Sequence, residues 1–159
     1  MTRKRASLRQ KVARIALLVV LLPLILPLAI VGLVLHFLNL VVVYLLVWAW
    51  WLPRGKDVLY VTSDSTVWKD YMENEIRPLV AERAVALNWS ERKSWRHWSL
   101  VVRVFRTFGR GRDFNPMIVL FRPFQKAKMF RFLPAFQGRK HGNLEDLEKL
   151  RRELIQSLS

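Results

Sequence analysis

From Ile15 to Leu52 the chain runs 38 positions without a charged residue, interrupted by little besides Pro23, Pro27, Gly32, His36 and Asn39. A membrane span takes about 20 apolar residues, and a secretory signal core only about 7–15. No small-residue cleavage site follows, so the stretch does not read as a removable signal. One straight helix of this length would measure about 57 Å at 1.5 Å per residue, against roughly 30 Å of hydrocarbon. Two arrangements answer that excess. One is a helical hairpin, transmembrane or re-entrant, with arms at Ile15–Val31 and Leu40–Leu52 and a turn at Gly32–Asn39. The other is a single span with an interfacial extension. Arg9, Lys11 and Arg14 precede the stretch, and Arg54 and Lys56 follow it. The positive-inside tendency then puts both ends in the cytoplasm, which a hairpin satisfies. Trp48, Trp50 and Trp51 read as an interfacial aromatic belt at the exit. Pro23 and Pro27, four apart, predict a kink in the first arm. His36 and Asn39 read either as caps of the hairpin turn or as a functional polar pair within lipid.

Beyond residue 53 the period changes. Pro53-Arg54-Gly55-Lys56 is a linker, and Asp57–Thr62 is a short β-branched run that predicts a buried strand. Ser63-Asp64-Ser65-Thr66 supplies helix-capping chemistry. Trp68, Met72, Ile76 and Leu79 recur at helical spacing in a helix expected to reach about Glu82, with Pro78 kinking or breaking it. Ala84–Trp89 reads as a second strand. Over Ser94–Phe108 a helical wheel puts Trp95, Trp98, Val101, Val102, Val104, Phe105 and Phe108 on one half. Arg96, Arg103, Arg106 and Arg110 fall within a narrow arc of the other. Gly109 and Gly111 end this basic amphipathic helix. Met117–Phe121 and Ala127–Leu133 are further strands, joined through Pro123-Phe124-Gln125. Asn143 caps a final helix striped by Leu144, Leu147, Leu150, Leu154 and Leu158.

Charge sharpens this division. The chain has 159 residues, 27 Lys+Arg against 12 Asp+Glu, a formal charge of +15, and 52% hydrophobic residues. Residues 1–14 carry six basic groups and no acid, and residues 89–140 carry thirteen basic and two acidic groups. The rest is close to neutral. Three regions follow: a basic cytoplasmic tail (1–14), a membrane anchor (15–53) and a soluble domain (54–159). There is no cysteine, which excludes disulfides, thiol catalysis, iron–sulfur clusters and Cys-based zinc sites.

The order of soluble elements is β-α-β-α-β-β-α. The opening asks for parallel pairing, and the tight connection between the last two strands asks for an antiparallel hairpin. With the local motif Asn115-Pro116-Met117-Ile118-Val119-Leu120-Phe121, this order resembles the thioredoxin-like fold over about residues 57–158. The resemblance implies an α/β fold with a mixed four-stranded sheet and a cis-proline at Pro116. The family's redox activity needs Cys-x-x-Cys at the start of the first helix, where this chain reads Ser63-Asp64-Ser65-Thr66-Val67-Trp68. Disulfide exchange is therefore not carried over, and the resemblance implies a redox-inactive member.

Candidate chemistry is sparse. Free N–H groups at the Ser63–Thr66 corner could hold an anion, with Asp64 as a base towards Ser65 or another hydroxyl. Plain capping needs the same residues. Gly109-Arg110-Gly111 lacks the spacing of a phosphate loop. His36, His97 and His141 show no ligand spacing, so neither a metal nor a cofactor is expected. Asn88-Trp89-Ser90 matches a glycosylation sequon but reads as a strand end. The basic block, represented by Arg96, Arg103, Arg106, Arg110 and Arg112, reads as a surface for anionic lipid, as a solvated face or a face for an acidic protein partner, and least well as a nucleic-acid surface. A tethered domain meets headgroups at high effective concentration, and each apposed cation contributes about 1 kcal/mol. The expectation is a membrane-anchored, non-catalytic thioredoxin-like binding or scaffold module on the cytoplasmic face. Its alternatives are an enzyme on an anionic or lipid-linked substrate at the Ser63–Thr66 corner, and a small accessory subunit of a membrane protein complex.

Overall fold

A computed structural model of the chain describes residues 2–139 and 145–159. The chain divides into two units, residues 1–41 and 42–159.

The first unit consists of helix. Helix α1 is continuous over Thr2–Leu46, with Pro23 and Pro27 inside it, and its last turns enter the second unit. The expected turn at Gly32–Asn39 does not form. Between those two residues stand Leu, Val, Leu, His, Phe and Leu, none of which favours a turn. A helix also pairs each backbone group internally, as an apolar surrounding requires. The single-span alternative is the one compatible with this helix. Leu22, Leu28, Leu33, Leu35 and Phe37 are all more than half exposed. Residues Leu21–Arg54 make one helical stretch long and apolar enough to cross a membrane, with a mean hydropathy of 2.6 over its most apolar 18 residues.

The second unit begins within α1. A π-helical turn at Val47–Trp51 and a 3-10 turn at Leu52–Arg54 end the helix, and Gly55 closes it in the left-handed region at φ 69°. Then come β1 (Val58–Thr62), α2 (Lys69–Tyr71), a π turn (Met72–Ile76), α3 (Arg77–Val80) and β2 (Ala84–Asn88). They are followed by α4 (Leu100–Phe108), β3 (Met117–Leu120), β4 (Lys128–Arg131), α5 (Leu133–Arg139) and α6 (Glu145–Leu158). The sheet order is β2-β1-β3-β4. β1 and β2 run parallel, while β1–β3 and β3–β4 are antiparallel. This mixed four-stranded α/β sheet is compatible with the thioredoxin-like arrangement.

Side-chain alternation gives the sheet two covered faces. On one, Val58, Tyr60, Ile118, Leu120 and Phe130 share a core with Met72, Ile76, Phe136, Leu147 and Leu154. Leu150 and Leu158 pack against its edge, completing the described part of the leucine stripe. Leu144, Asn143 and His141 lie outside the described residues. On the other face, Leu59, Val61, Met117 and Val119 are buried beside α4. There Phe121 meets the rings of Tyr44, Trp51 and Phe108 at 6.0, 6.1 and 5.2 Å. The end of the apolar helix is therefore part of the domain core: Val43, Val47 and Trp51 are buried.

Three elements differ from the sequence expectation. The helix after β1 is broken by its π turn, and Pro78 sits in the first turn of α3, where a missing N–H costs least. The basic helix starts at Leu100 rather than Ser94, with Ser99 extended at its N-cap. The last strand stops at Arg131, because Leu133-Pro134 opens α5.

Candidate functional site

The corner after β1 is closed by its own side chains. Ser63 is buried, and its Oγ accepts from Trp68 Nε1 at 3.1 Å and from Asn115 Nδ2 at 2.9 Å. Trp68 also packs on Phe136 at 6.1 Å, so the indole lies across the corner. Ser65 Oγ takes the Val67 N–H at 3.4 Å, as a cap would, and Thr66 is exposed. The Asp64 carboxylate accepts from Asn88 Nδ2 at 3.4 and 3.5 Å and lies 3.5 Å from Lys69 Nζ. The Asn88 amide, followed by Lys69, holds its pKa below the ordinary carboxylate value. That shift weakens Asp64 as a general base. On the core side, burial pushes the Tyr60 phenol up, and its hydroxyl donates to Met72 O at 3.0 Å.

The peptide bond between Asn115 and Pro116, just before β3, is cis. The Pro116 carbonyl accepts the Phe132 N–H at 3.0 Å, tying the start of β3 to the end of β4.

The five singled-out arginines are all exposed, but they do not share one helix. Arg103 and Arg106 belong to α4. Arg96 lies in the turn before it, and Arg110 and Arg112 lie in the loop after it. Arg106 Nη2 lies 2.6 Å from His97 Nδ1, and the Arg110 carbonyl accepts from Arg131 Nη2 at 2.9 Å. The wheel failed at Trp98, which precedes α4 and is 99% exposed. Trp95 is held elsewhere, donating to Asn88 O at 3.1 Å and packing on Trp89 and Phe105.

The three exit tryptophans separate in the same way. Trp51 is buried in the domain and Trp48 is half-buried, whereas Trp50 is 59% exposed with Arg54 stacked 4.1 Å over its ring. Any helical turn rotates successive side chains by roughly 80–100°, so tryptophans one or two positions apart point into different surroundings.

Two clefts bear on the site, and one of them borders this helix end. One, of about 330 Å³, is lined by Leu46, Ala49, Trp50, Trp98, Leu100 and Arg103. The other, of about 470 Å³, is lined by Arg122, Gln125, Lys126, Lys128, Gln156 and Ser157 among others, with no carboxylate. Arg122 donates to Ser157 O at 2.6 Å and Lys128 to Ser157 Oγ at 2.7 Å, so two cations converge on one serine at the C-terminal end of α6. Between them in sequence, Phe124 turns its ring onto Trp48 at 5.2 Å. Sequence reasoning missed Arg122, Phe124, Lys126 and Lys128. The available signal was a phenylalanine at a polar turn, in Arg122-Pro123-Phe124-Gln125.

Among the described residues there is no cluster of three or more His, Cys, Asp or Glu side chains placed to hold a metal ion. Comparison with known proteins finds no matching family model, no matching curated protein and no matching solved structure.

Proposed function

We propose that the chain is a membrane-anchored, non-catalytic binding or scaffold module of thioredoxin-like fold, whose cationic surface faces anionic lipid headgroups. The fold assignment rests on the strand order β2-β1-β3-β4, with one parallel and two antiparallel pairings. The inactive assignment rests on the chain's lack of cysteine. The observation that carries the lipid reading is the cation at the apolar helix end: Arg103 shares a cleft with Leu46 and Trp50. Arg122, Lys126 and Lys128 add a second cationic cleft, on the chain segment whose Phe124 touches Trp48. Such cations meet the headgroup layer as soon as the helix is in the bilayer.

Sidedness changes with the helix. The cytoplasmic assignment of the domain depended on a hairpin that returns the chain to its starting side. A single crossing by α1 puts residues 1–14 and the domain on opposite faces. Six basic residues precede the span, and Arg54 and Lys56 follow it closely. The heavier flank takes the cytoplasmic side; on this reading the domain takes the other face, and its lipid contact requires anionic headgroups in that leaflet.

Full-length protein in proteoliposomes tests the lipid reading by hydrogen exchange. Anionic vesicles should slow exchange in residues 96–112 and 122–128 relative to zwitterionic ones, and Arg103→Gln with Lys126→Gln should remove that difference. Identical exchange in both lipids defeats it. Cysteines introduced singly at Ser7 and Ser159 test the crossing: labelling from opposite sides is expected.

A further inference from the structure

We infer that Trp98 and Phe124 are interfacial anchors of the domain: two rings on separate loops that enter the headgroup layer of the membrane crossed by α1. The inference rests on the proposed reading of α1 as a span, and it adds which side chains dock the domain and at what depth.

Exposure comes first. Trp98 is 99% and Phe124 90% exposed, more than any other large hydrophobic residue described, including Leu33 at 68% within the apolar helix. Scattered exposed apolar residues are ordinary on soluble surfaces. These two are not scattered. Trp98 lines the cleft of Leu46, Ala49 and Trp50, and Phe124 touches Trp48. Their helical neighbours thus lie between residues 46 and 50, which span about 6 Å along a helix axis. A headgroup layer is roughly 5–7 Å thick on each side of the hydrocarbon. Both rings stand beside the same helix end as the exposed Trp50, the end that enters the interfacial layer on the proposed reading. Tryptophan and phenylalanine suit that layer, and tryptophan is enriched there.

Backbone geometry adds an independent reason at Phe124. Its φ is 59°, in the left-handed region, and it follows Pro123 in a turn whose Gln125 N–H donates to Arg122 O at 3.3 Å. Pro followed by a residue with positive φ is the type II pattern, in which Gly or Asn is the comfortable choice. A phenylalanine here is unfavourable for the backbone and, at 90% exposure, unfavourable in water. The Trp48 contact covers little of the ring. An apolar phase outside the protein makes this residue type suitable.

Charge fits the same occupant. Arg103 borders the Trp98 cleft, and Lys126 follows Phe124 by two residues on the same loop, so each anchoring loop carries a cation for the phosphate level above. A lipid interface offers that layering of apolar phase beneath anion.

The test uses full-length protein in proteoliposomes of phosphatidylcholine with or without phosphatidylglycerol. The chain has no native cysteine, so Trp98→Cys, Phe124→Cys and Asn74→Cys can each carry one environment-sensitive fluorophore. Asn74 is exposed on the π turn between α2 and α3 and serves as the aqueous control. Labels at 98 and 124 should be at least about threefold less accessible to aqueous acrylamide than the label at 74, and quenched by lipids carrying a nitroxide near the headgroup. Equal acrylamide quenching at all three positions overturns the inference. Shielding from acrylamide without quenching by lipid also overturns it, because a second copy or another protein then covers the rings. Shielding that is the same with and without phosphatidylglycerol supports the anchors while defeating the anionic-headgroup reading, so the two fail separately. Circular dichroism of each labelled variant in detergent checks that the fold survives.

Discussion

Tyr44, near the end of the apolar helix, accepts through its hydroxyl the backbone N–H of Ala127 at 2.7 Å. The two residues stand 83 positions apart, and the bond fixes the loop that leads into β4 against the last turns of α1. The phenol sits among Trp48, Phe108 and Phe121, with ring contacts of 5.9, 5.8 and 6.0 Å. Tyr44→Phe keeps those rings and leaves the Ala127 amide unpaired. The expected loss is about 1–2 kcal/mol, read in detergent by chemical unfolding, with Ala127 amide exchange faster by about tenfold. An unchanged Ala127 exchange rate would show that the bond restrains nothing.

Ser63 holds two donors at once. Ser63→Ala would strand the Asn115 amide and the Trp68 indole, at a cost of about 2–4 kcal/mol if neither finds water. Ser63→Thr, which retains the hydroxyl, should lose less. Unfolding midpoints of the two variants decide the matter, and equal midpoints would mean that the hydrogen bonds are not what counts.

Asp64 gives a pH dependence with a definite sign. Its folded pKa is depressed below the ordinary 3.8, chiefly by the Asn88 amide and then by Lys69. Its contribution to stability is therefore present above that ordinary value and is lost as pH falls through the lowered folded one. The side chain is exposed, so the effect on stability is small. Carboxyl NMR in detergent should place Asp64 below 3.8. Asn88→Ala should move it back towards the ordinary value, and no movement would reassign the cause.

Gly109 is required by space. A Cβ there would lie 2.7 Å from both the Phe105 carbonyl oxygen and the Phe105 ring. The Gly109 N–H donates to that same carbonyl at the end of α4. Gly109→Ala is expected to cost about 1–3 kcal/mol. Gly32, around which nothing lies within 4 Å, should accept alanine without loss. Comparison of the two variants by thermal unfolding checks the assignment.

Phe124→Gly separates stability from docking. Glycine relieves the left-handed backbone at φ 59°, so the variant should be neutral or more stable by up to about 1 kcal/mol in detergent. In vesicles, acrylamide quenching of a label at position 98 should rise, since one of two anchors is gone. A large loss of stability in detergent would instead make Phe124 a core residue.

Much was legible along the chain because periodicity is local. The charge-free run from Ile15 to Leu52, the buried strand at Val58, the leucine stripe of the last helix and the order of elements follow from residue spacing alone. The absence of cysteine bears directly on chemistry and needs no fold. Where the reading failed, the deciding interaction was distant. The hairpin was inferred from charges at both ends, whereas Gly32–Asn39 follows its own helical preference and Val43, Val47 and Trp51 are buried against the sheet. A wheel assigned Trp95 and Trp98 to one apolar face. Tertiary contact drew Trp95 onto Trp89 and Phe105, while Trp98, outside the helix, was left in the open. Residue spacing and composition sufficed for a long apolar helix followed by a small basic α/β domain. Which aromatic residues pack inside, and which stand out beside the end of that helix, was settled by three-dimensional contacts. Burial depends on partners that no helical or strand period encodes, whether a few residues off, as Trp89 is from Trp95, or 70, as Phe121 is from Trp51.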